Sequence, residues 1–193
     1  MKHLSDQELM RIVQGGDVSP ASEIYDRYSG RIYNFALRFL KNSEAAEDAT
    51  QEVFVKMIRH ASQFQGDAKL STWLFSITAN WCRDFLRKAD NKSKESDDVL
   101  VTLPAPADQS PDRNLEQREN EVRIQRALKA LTPEQREAIL LSRYQGLSYA
   151  EIAQISGCSE GAVKTRVFRA METLKKALVG ESRGGDRWLN AVR

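Results

Sequence analysis

The chain has 193 residues, enough for one large or two small domains that each bury a core, and a net charge of +2 at pH 7. Two cysteines far apart in sequence, Cys82 and Cys158, and two isolated histidines, His3 and His60, give no metal-ligand spacing and no disulfide framework. With no phosphate loop and no Ser/His/Asp or Cys/His constellation either, an enzyme, a cofactor and a small-molecule substrate are not expected. No apolar run approaches the roughly 20 residues that span a bilayer, and no secretory leader opens the chain, so a reduced, cytoplasmic setting is expected.

The weak net charge hides an uneven distribution. Residues 89–117 hold three basic and seven acidic side chains, a charge of −4, which leaves +6 for the rest of the chain. The basic excess therefore lies in the segments with helical period, where a nucleic-acid partner could meet it.

In chain order, Ser5 and Glu8 make a capping box for a first helix over about 5–14, stopped by Gly15-Gly16. Ser19-Pro20 starts a second helix with Pro20 at its first position and an apolar stripe of Ile24, Tyr28, Ile32, Phe35 and Phe39. Gly30 inside that stretch lowers its helix propensity. Ser43 caps a third helix over about 44–61, with Ala46, Ala49, Val53 and Met57 as core stripe and Phe54 and Ile58 beside it. Another side of the same helix carries Asp48, Glu52, Val55 and Arg59, with Gln51 adjacent. From this helix alone a solvated face is the simpler reading. The mixture of acid, amide and valine also suits a protein partner with basic and apolar groups.

Phe64-Gln65-Gly66-Asp67 reads as a loop before a fourth helix over about 71–88. That helix concentrates Trp73, Phe75, Trp81 and Phe85 with Arg83, Arg87 and Lys88, and Asn80, Asp84 and Arg87 share a face. Asparagine reads base edges, arginine and lysine hold phosphates, and an aromatic stacked on an unpaired base is worth about 1–3 kcal/mol. Trp73, Leu74, Ile77 and Phe85 read as core. Phe64 is expected to be spare of the core and thus the better candidate to grip an unstacked base.

Residues 89–114 are polar and acidic, contain Pro104, Pro106 and Pro111, and lack periodicity, so an extended, mobile linker is expected. Helical period resumes at about 115–130, 133–145, 149–156 and 160–179, with a T-x-x-Q capping box at Thr132 and Pro133 at the first helical position. The tail, 180–193, has three glycines and reads as loose; Trp188 and Leu189 in it are candidates to dock on a partner or on the body. The whole is all-α: two small helical domains, 1–88 and 115–179, on a flexible tether. Such a tether sets an effective concentration for bivalent reading of a long ligand.

The last two helices carry the most specific pattern. Ser148 and Glu151 form a capping box, Ala153 allows close crossing, Gly157 supplies a sharp turn and Val163 wedges inward. Ser159 caps the second of these helices, which projects Lys164, Arg166 and Arg169 as a recognition helix projects its readers into a major groove. The bland alternative is an ordinary helical hairpin with a solvated basic face.

Together these pieces resemble one family. DATQEVFVKMIRHASQFQGDAKLSTWLFSITANWCRDFLRK is similar to the second conserved region of bacterial RNA polymerase sigma factors of the extracytoplasmic-function (ECF) group, and LTPEQREAILLSRYQGLSYAEIAQISGCSEGAVKTRVFRAMETLKKAL to the fourth. The resemblance covers about 5–178. It implies a region 2-like bundle and a region 4-like helix-turn-helix that bind core RNA polymerase, through its β′ clamp helices and β subunit, and promoter DNA. Under it, Asp48, Gln51, Glu52 and Val55 dock on the β′ clamp helices, which reverses the solvated reading of that face. Phe64, Gln65, Gly66 and Asp67 capture a flipped base of the −10 element, and Asn80, Asp84, Arg87 and Lys88 read and hold that element. Lys164, Thr165, Arg166, Phe168 and Arg169, together with Ser159, read the −35 element, and Tyr149 and Glu151 stand beside its phosphate backbone. The family further implies restraint by an anti-sigma factor, often membrane-anchored, which would hold the chain at the inner face of the membrane. The melting aromatic pair of primary sigma factors is not identifiable here. A stand-alone helix-turn-helix regulator, dimeric on palindromic half-sites, is the rival reading.

Overall fold

The computed structural model describes residues 3–95, 124 and 126–179, and every regular element among these residues is helical. The chain divides into two compact units, Met1–Pro104 and Ala105–Arg193. The expected linker from residue 96 on, the start of the helix expected at 115–130, and the tail with Trp188 and Leu189 lie outside the described residues.

The first unit contains α1 (Asp6–Gln14), α2 (Ala21–Leu40), α3 (Ser43–Arg59), a 3-10 turn (Ala61–Gln63) and α4 (Leu70–Glu95). α2, α3 and α4 pack on one another, and α1 lies against α2 and the 3-10 turn. The helical stripes converge as periodicity requires: Ile24, Ile32, Phe35, Phe39, Ala46, Ala49, Val53, Met57, Leu74 and Phe75 are all fully buried. Phe35 stacks on Phe39 and meets the Phe75 ring edge-on, each ring contributing about 1.5–3 kcal/mol through burial. α1 is fastened by polar contacts as well as by Leu9, Met10 and Val13. The Tyr28 hydroxyl donates to Asp6, and Arg27 pairs with Asp6 at 3.0 Å and Glu23 at 2.9 Å and donates to the Leu4 carbonyl at 2.9 Å. Burial, then the Asp6 carboxylate, pushes the Tyr28 hydroxyl pKa up, so it stays a donor.

The second unit has helical residues 126–129, α5 (Pro133–Ile139) continuing into a wider π turn (Leu140–Tyr144), α6 (Tyr149–Ser156) and α7 (Glu160–Val179). Leu128, Ile139, Leu140, Leu141, Ile152, Val163 and Ala170 form its core. Two charged side chains are buried with them, each satisfied. Arg136 donates Nε to the Leu128 carbonyl at 3.0 Å and Nη2 to the Leu131 carbonyl at 3.2 Å, joining the 126–129 stretch to α5. Its burial lowers its pKa. Glu137 accepts from the Ser156 hydroxyl and so ties α5 to the end of α6.

The capping boxes at Ser5, Thr132 and Ser148 all form as their spacing predicts. Several expectations are corrected. The third helix is capped by Asn42, not Ser43: Asn42 has extended backbone and accepts from the Ala45 amide at 3.0 Å, while Ser43 is already helical. Pro20 takes the cap position of α2 and Ala21 the first helical one. Ile58 is 39 % exposed rather than core. α3 stops at Arg59 and α4 runs on to Glu95, past the expected end at Lys88 and into the stretch expected to be extended. Gly30 interrupts nothing; its carbonyl accepts from the Asn34 side-chain Nδ2 at 2.7 Å within an unbroken α2.

Candidate functional site

Three outward surfaces collect the residues singled out above. On α3, burial of Ala46, Ala49, Val53 and Met57 forces the other side outward. Asp48 and Gln51 are exposed there, Val55 is 39 % exposed, and Glu52 lies 3.7 Å from Lys56 Nζ one turn on. Ile58 extends the apolar part of this surface. The result is an acidic surface interrupted by two aliphatic side chains, which fits a partner carrying basic and apolar groups.

The second surface is the loop before α4 with the outer side of α4. Phe64 does not stand free in this loop. It is 7 % exposed, and its ring packs on Trp73 with centroids 5.4 Å apart, which overturns the expectation that it is spare of the core. Gln65 and Asp67 are exposed, and Gly66 has φ +80°, a conformation an L side chain rarely adopts. The loop is held from a distant element: Gln14 at the end of α1 donates from Nε2 to the carbonyls of Ala61 at 3.0 Å and Phe64 at 2.6 Å. No spacing rule in the sequence signals this contact. On α4, Asn80, Asp84, Arg87 and Lys88 are all exposed. Arg83 donates to the Asn80 side-chain carbonyl, and Arg87 pairs with Asp84 at 2.9 Å, so the polar groups are pre-aligned along the helix. Trp81 and Phe85, half-buried, stack 5.4 Å apart along the adjoining flank.

The third surface is the helix-turn-helix. Glu151 is committed to its own helix start, its carboxylate accepting from the Ser148 amide and hydroxyl at 2.8 Å each. Gly157 sits at φ +61° and closes α6 by donating its amide to the Ala153 carbonyl. Ser159 caps α7 by accepting from the Ala162 amide at 3.2 Å. Val163, Val167 and Ala170 are buried, so Lys164, Thr165, Phe168 and Arg169 point outward, and Phe168 is 64 % exposed. Thr165 donates its hydroxyl to the Gly161 carbonyl at 2.9 Å. Arg166 is half-buried and donates to Cys158 Sγ at 3.4 Å, a contact the sequence reading missed. Tyr149 is exposed at the start of α6. Among the described residues no cluster of three or more His, Cys, Asp or Glu side chains gathers, and no helix is long and apolar enough to cross a membrane.

Each unit matches a known family model: residues 24–92 match Sigma-70 region 2 and residues 121–174 match Sigma-70, region 4. The RNA polymerase sigma-H factor of Pseudomonas aeruginosa is 32 % identical over 180 residues, 90 % of this chain and 93 % of that protein. The ECF RNA polymerase sigma factor SigM of Mycobacterium tuberculosis is 34 % identical over 175 residues, 90 % and 85 % of the two chains. The ECF RNA polymerase sigma-E factor of Escherichia coli K12 is 30 % identical over 180 residues, 90 % and 94 % of the two. Among solved structures, the sigma factor RpoE of Bartonella quintana, crystallised with the anti-sigma factor NepR, aligns with TM-score 0.71 at 27 % identity over 83 % of this chain and 98 % of that one. CnrH, solved with the cytosolic domain of CnrY, has the same fold, with TM-score 0.70 at 24 % identity over 92 % and 99 % of the two chains.

A helical unit matching region 2 followed by one matching region 4 defines the class: a sigma factor, a subunit that gives RNA polymerase its promoter. Within that class the chain belongs to the ECF group of RNA polymerase sigma factors. It binds core polymerase and promoter DNA and directs transcription initiation. The region 2 match over 24–92 sets aside the stand-alone regulator, which has no use for such a domain.

Proposed function

We propose that the three surfaces divide the work of initiation. Asp48, Gln51, Glu52, Val55 and the adjoining Ile58 dock on the β′ clamp helices. Gln65, Gly66 and Asp67 receive a flipped base of the −10 element, with Phe64 as the buried footing of that loop rather than its grip. Asn80, Asp84, Arg87 and Lys88 hold the same element. Lys164, Thr165, Arg166, Phe168 and Arg169 read the −35 major groove, while Tyr149 stands beside the backbone and Glu151 and Ser159 act through the caps they form.

The observation that carries this reading is α7: one side is locked into the unit by Val163, Val167 and Ala170, so Lys164, Phe168 and Arg169 are aimed outward as a set, with Arg166 half-buried beside them. The proposed domain limits are 1–88 and 115–179, with the end of α4 reaching into the tether. The acidic residues between Asp97 and Asp112 lie outside the described residues; their charge supports a path through the basic channel of the polymerase as a phosphate mimic. A solved relative in complex with the anti-sigma factor NepR supports control by an anti-sigma factor. The protein is proposed to be cytoplasmic and to have no catalytic activity of its own.

Run-off transcription with purified core polymerase tests the division. Arg169→Ala loses about 1–3 kcal/mol of discrimination among −35 sequences and keeps polymerase affinity. Asp48→Lys does the reverse. Equal loss of both functions in both variants would overturn the division of labour.

A further inference from the structure

Gln14 is the last residue of α1, separated by 47 and 50 residues from the two carbonyls it binds, and it lies before the residues that match region 2. Its amide has two N–H bonds, and two carbonyls stand within reach, Ala61 at 3.0 Å and Phe64 at 2.6 Å. The Ala61 carbonyl also accepts from the Phe64 amide at 3.0 Å, which closes the 3-10 turn. The Phe64 carbonyl belongs to the peptide that leads into Gln65. Because a peptide is planar, holding that oxygen also orients the Gln65 N–H and places the Gln65 Cα from which the chain continues to Gly66. The Phe64 ring is fixed independently on Trp73. The anchor itself does not drift, since α1 is held by Leu9, Met10 and Val13 in the core and by Asp6 against Tyr28 and Arg27.

We propose that Gln14 is a positioning residue for base selection: through the Phe64 carbonyl it sets the conformation of the Gln65–Asp67 loop, and through the loop the preference for one base in the −10 element. This rests on the reading of that loop as the receiver of a flipped base. It gives α1 a part in promoter choice although no residue of α1 faces the DNA in that reading.

The test compares full-length variants assembled with core polymerase, on promoter templates carrying each of the four bases at each −10 position. Promoter opening is followed by 2-aminopurine fluorescence. Gln14→Glu keeps the shape, removes both donors and turns a carboxylate toward two carbonyl oxygens; Gln14→Met removes the donors without adding charge. Gln7→Glu, exposed on the same helix, controls for charge. The double variant Gln65→Ala/Asp67→Ala tests the loop itself.

The expected result is that both Gln14 variants lose roughly tenfold in base discrimination at one −10 position, the scale of two part-buried hydrogen bonds. Polymerase affinity and −35 discrimination stay at the Gln7→Glu values, while the thermal midpoint falls by no more than about 4–8 °C, the scale of the lost hydrogen bonds. Unchanged discrimination in the Gln14 variants, with discrimination lost in the loop variant, overturns the role of Gln14 and leaves the loop reading standing. Unchanged discrimination in the loop variant overturns both. A parallel fall of −10 discrimination, −35 discrimination and polymerase affinity in the Gln14 variants marks a fold defect and also overturns the positioning role.

Discussion

In the first unit the surface proposed for the −10 element is held by contacts within the chain: Gln14 grips the backbone of the loop before Gly66, Arg83 donates to Asn80, and Arg87 pairs with Asp84. On α7 the arrangement is the opposite. Lys164 and Arg169 have no ion-pair partner among the described residues, and Phe168 stands in solvent, while the hydroxyls of Ser159 and Thr165 are spent on the helix itself. The contrast follows from the ligands proposed for each. Phosphates and base edges of a duplex recur at fixed spacing, so long side chains can settle on them once the helix is aimed. A single unstacked base brings no scaffold with it, and its receiver gains by being shaped beforehand. In the first unit order is built into the side chains; in the second it is built into the seat of the helix.

The strongest way to break this comparison is to loosen that seat. Ile152 on α6 is fully buried, and α6 packs on α7. Ile152→Ala is expected to cost about 2–5 kcal/mol in urea denaturation. Where it still folds, it should lose −35 discrimination without touching any base-reading side chain; retention of full discrimination would show that α7 does not depend on its seat. A smaller effect sharpens the first-unit half. Arg83→Ala releases Asn80 and, on an exposed helix side, should change stability by no more than about 0.5 kcal/mol. Preference at the −10 position proposed to be read by Asn80 should nevertheless fall several-fold in run-off competition, and an unchanged preference would mean that pre-alignment along α4 is incidental.

The smallest effect concerns the hold on α1. Hydrogen bonds from Ser5, side chain first and then backbone, draw the Glu8 pKa below its usual value. A lowered carboxyl pKa stabilises the fold fully above about pH 5, and that contribution is lost as pH falls below about 4. Glu8→Gln should therefore lower the thermal midpoint slightly at neutral pH, where the carboxylate contributes, and converge on the parent protein at acid pH, flattening the acid limb. An acid limb as steep as that of the parent protein would remove Glu8 from the account.

What could be read in the sequence was what depends on neighbours along the chain. Three capping boxes, the apolar stripes of α2 and α3 and the Gly157 turn are all written within a few residues of where they act. The misses have non-local causes, or turn on a choice between equals. Asn42 and Ser43 are both competent caps, and only backbone geometry decides for Asn42. α4 continues past Lys88 through residues such as Lys92, Lys94 and Glu95, good helix formers that leave no apolar period to follow. Phe64 is in a loop, and a loop residue becomes core when a ring such as Trp73 waits beneath it. Gln14 is an unremarked polar residue until the fold brings it to a carbonyl 50 positions away. Of the candidate site, the residue types and faces on α3, α4 and α7 were legible, while their partners, Arg83 for Asn80 and Cys158 for Arg166, were not.

The two free thiols differ in a way that can be put to use. Cys82 is fully buried among the helices of the first unit, whereas Cys158 is half-exposed at the bend between α6 and α7, touching Arg166. The native chain thus carries one partly exposed cysteine, beside the helix proposed to meet the groove, and one shielded by the core. A maleimide dye will tag the bend first without any cysteine being added or removed, and its emission becomes an optical gauge of how that helix sits as the holoenzyme assembles on a promoter.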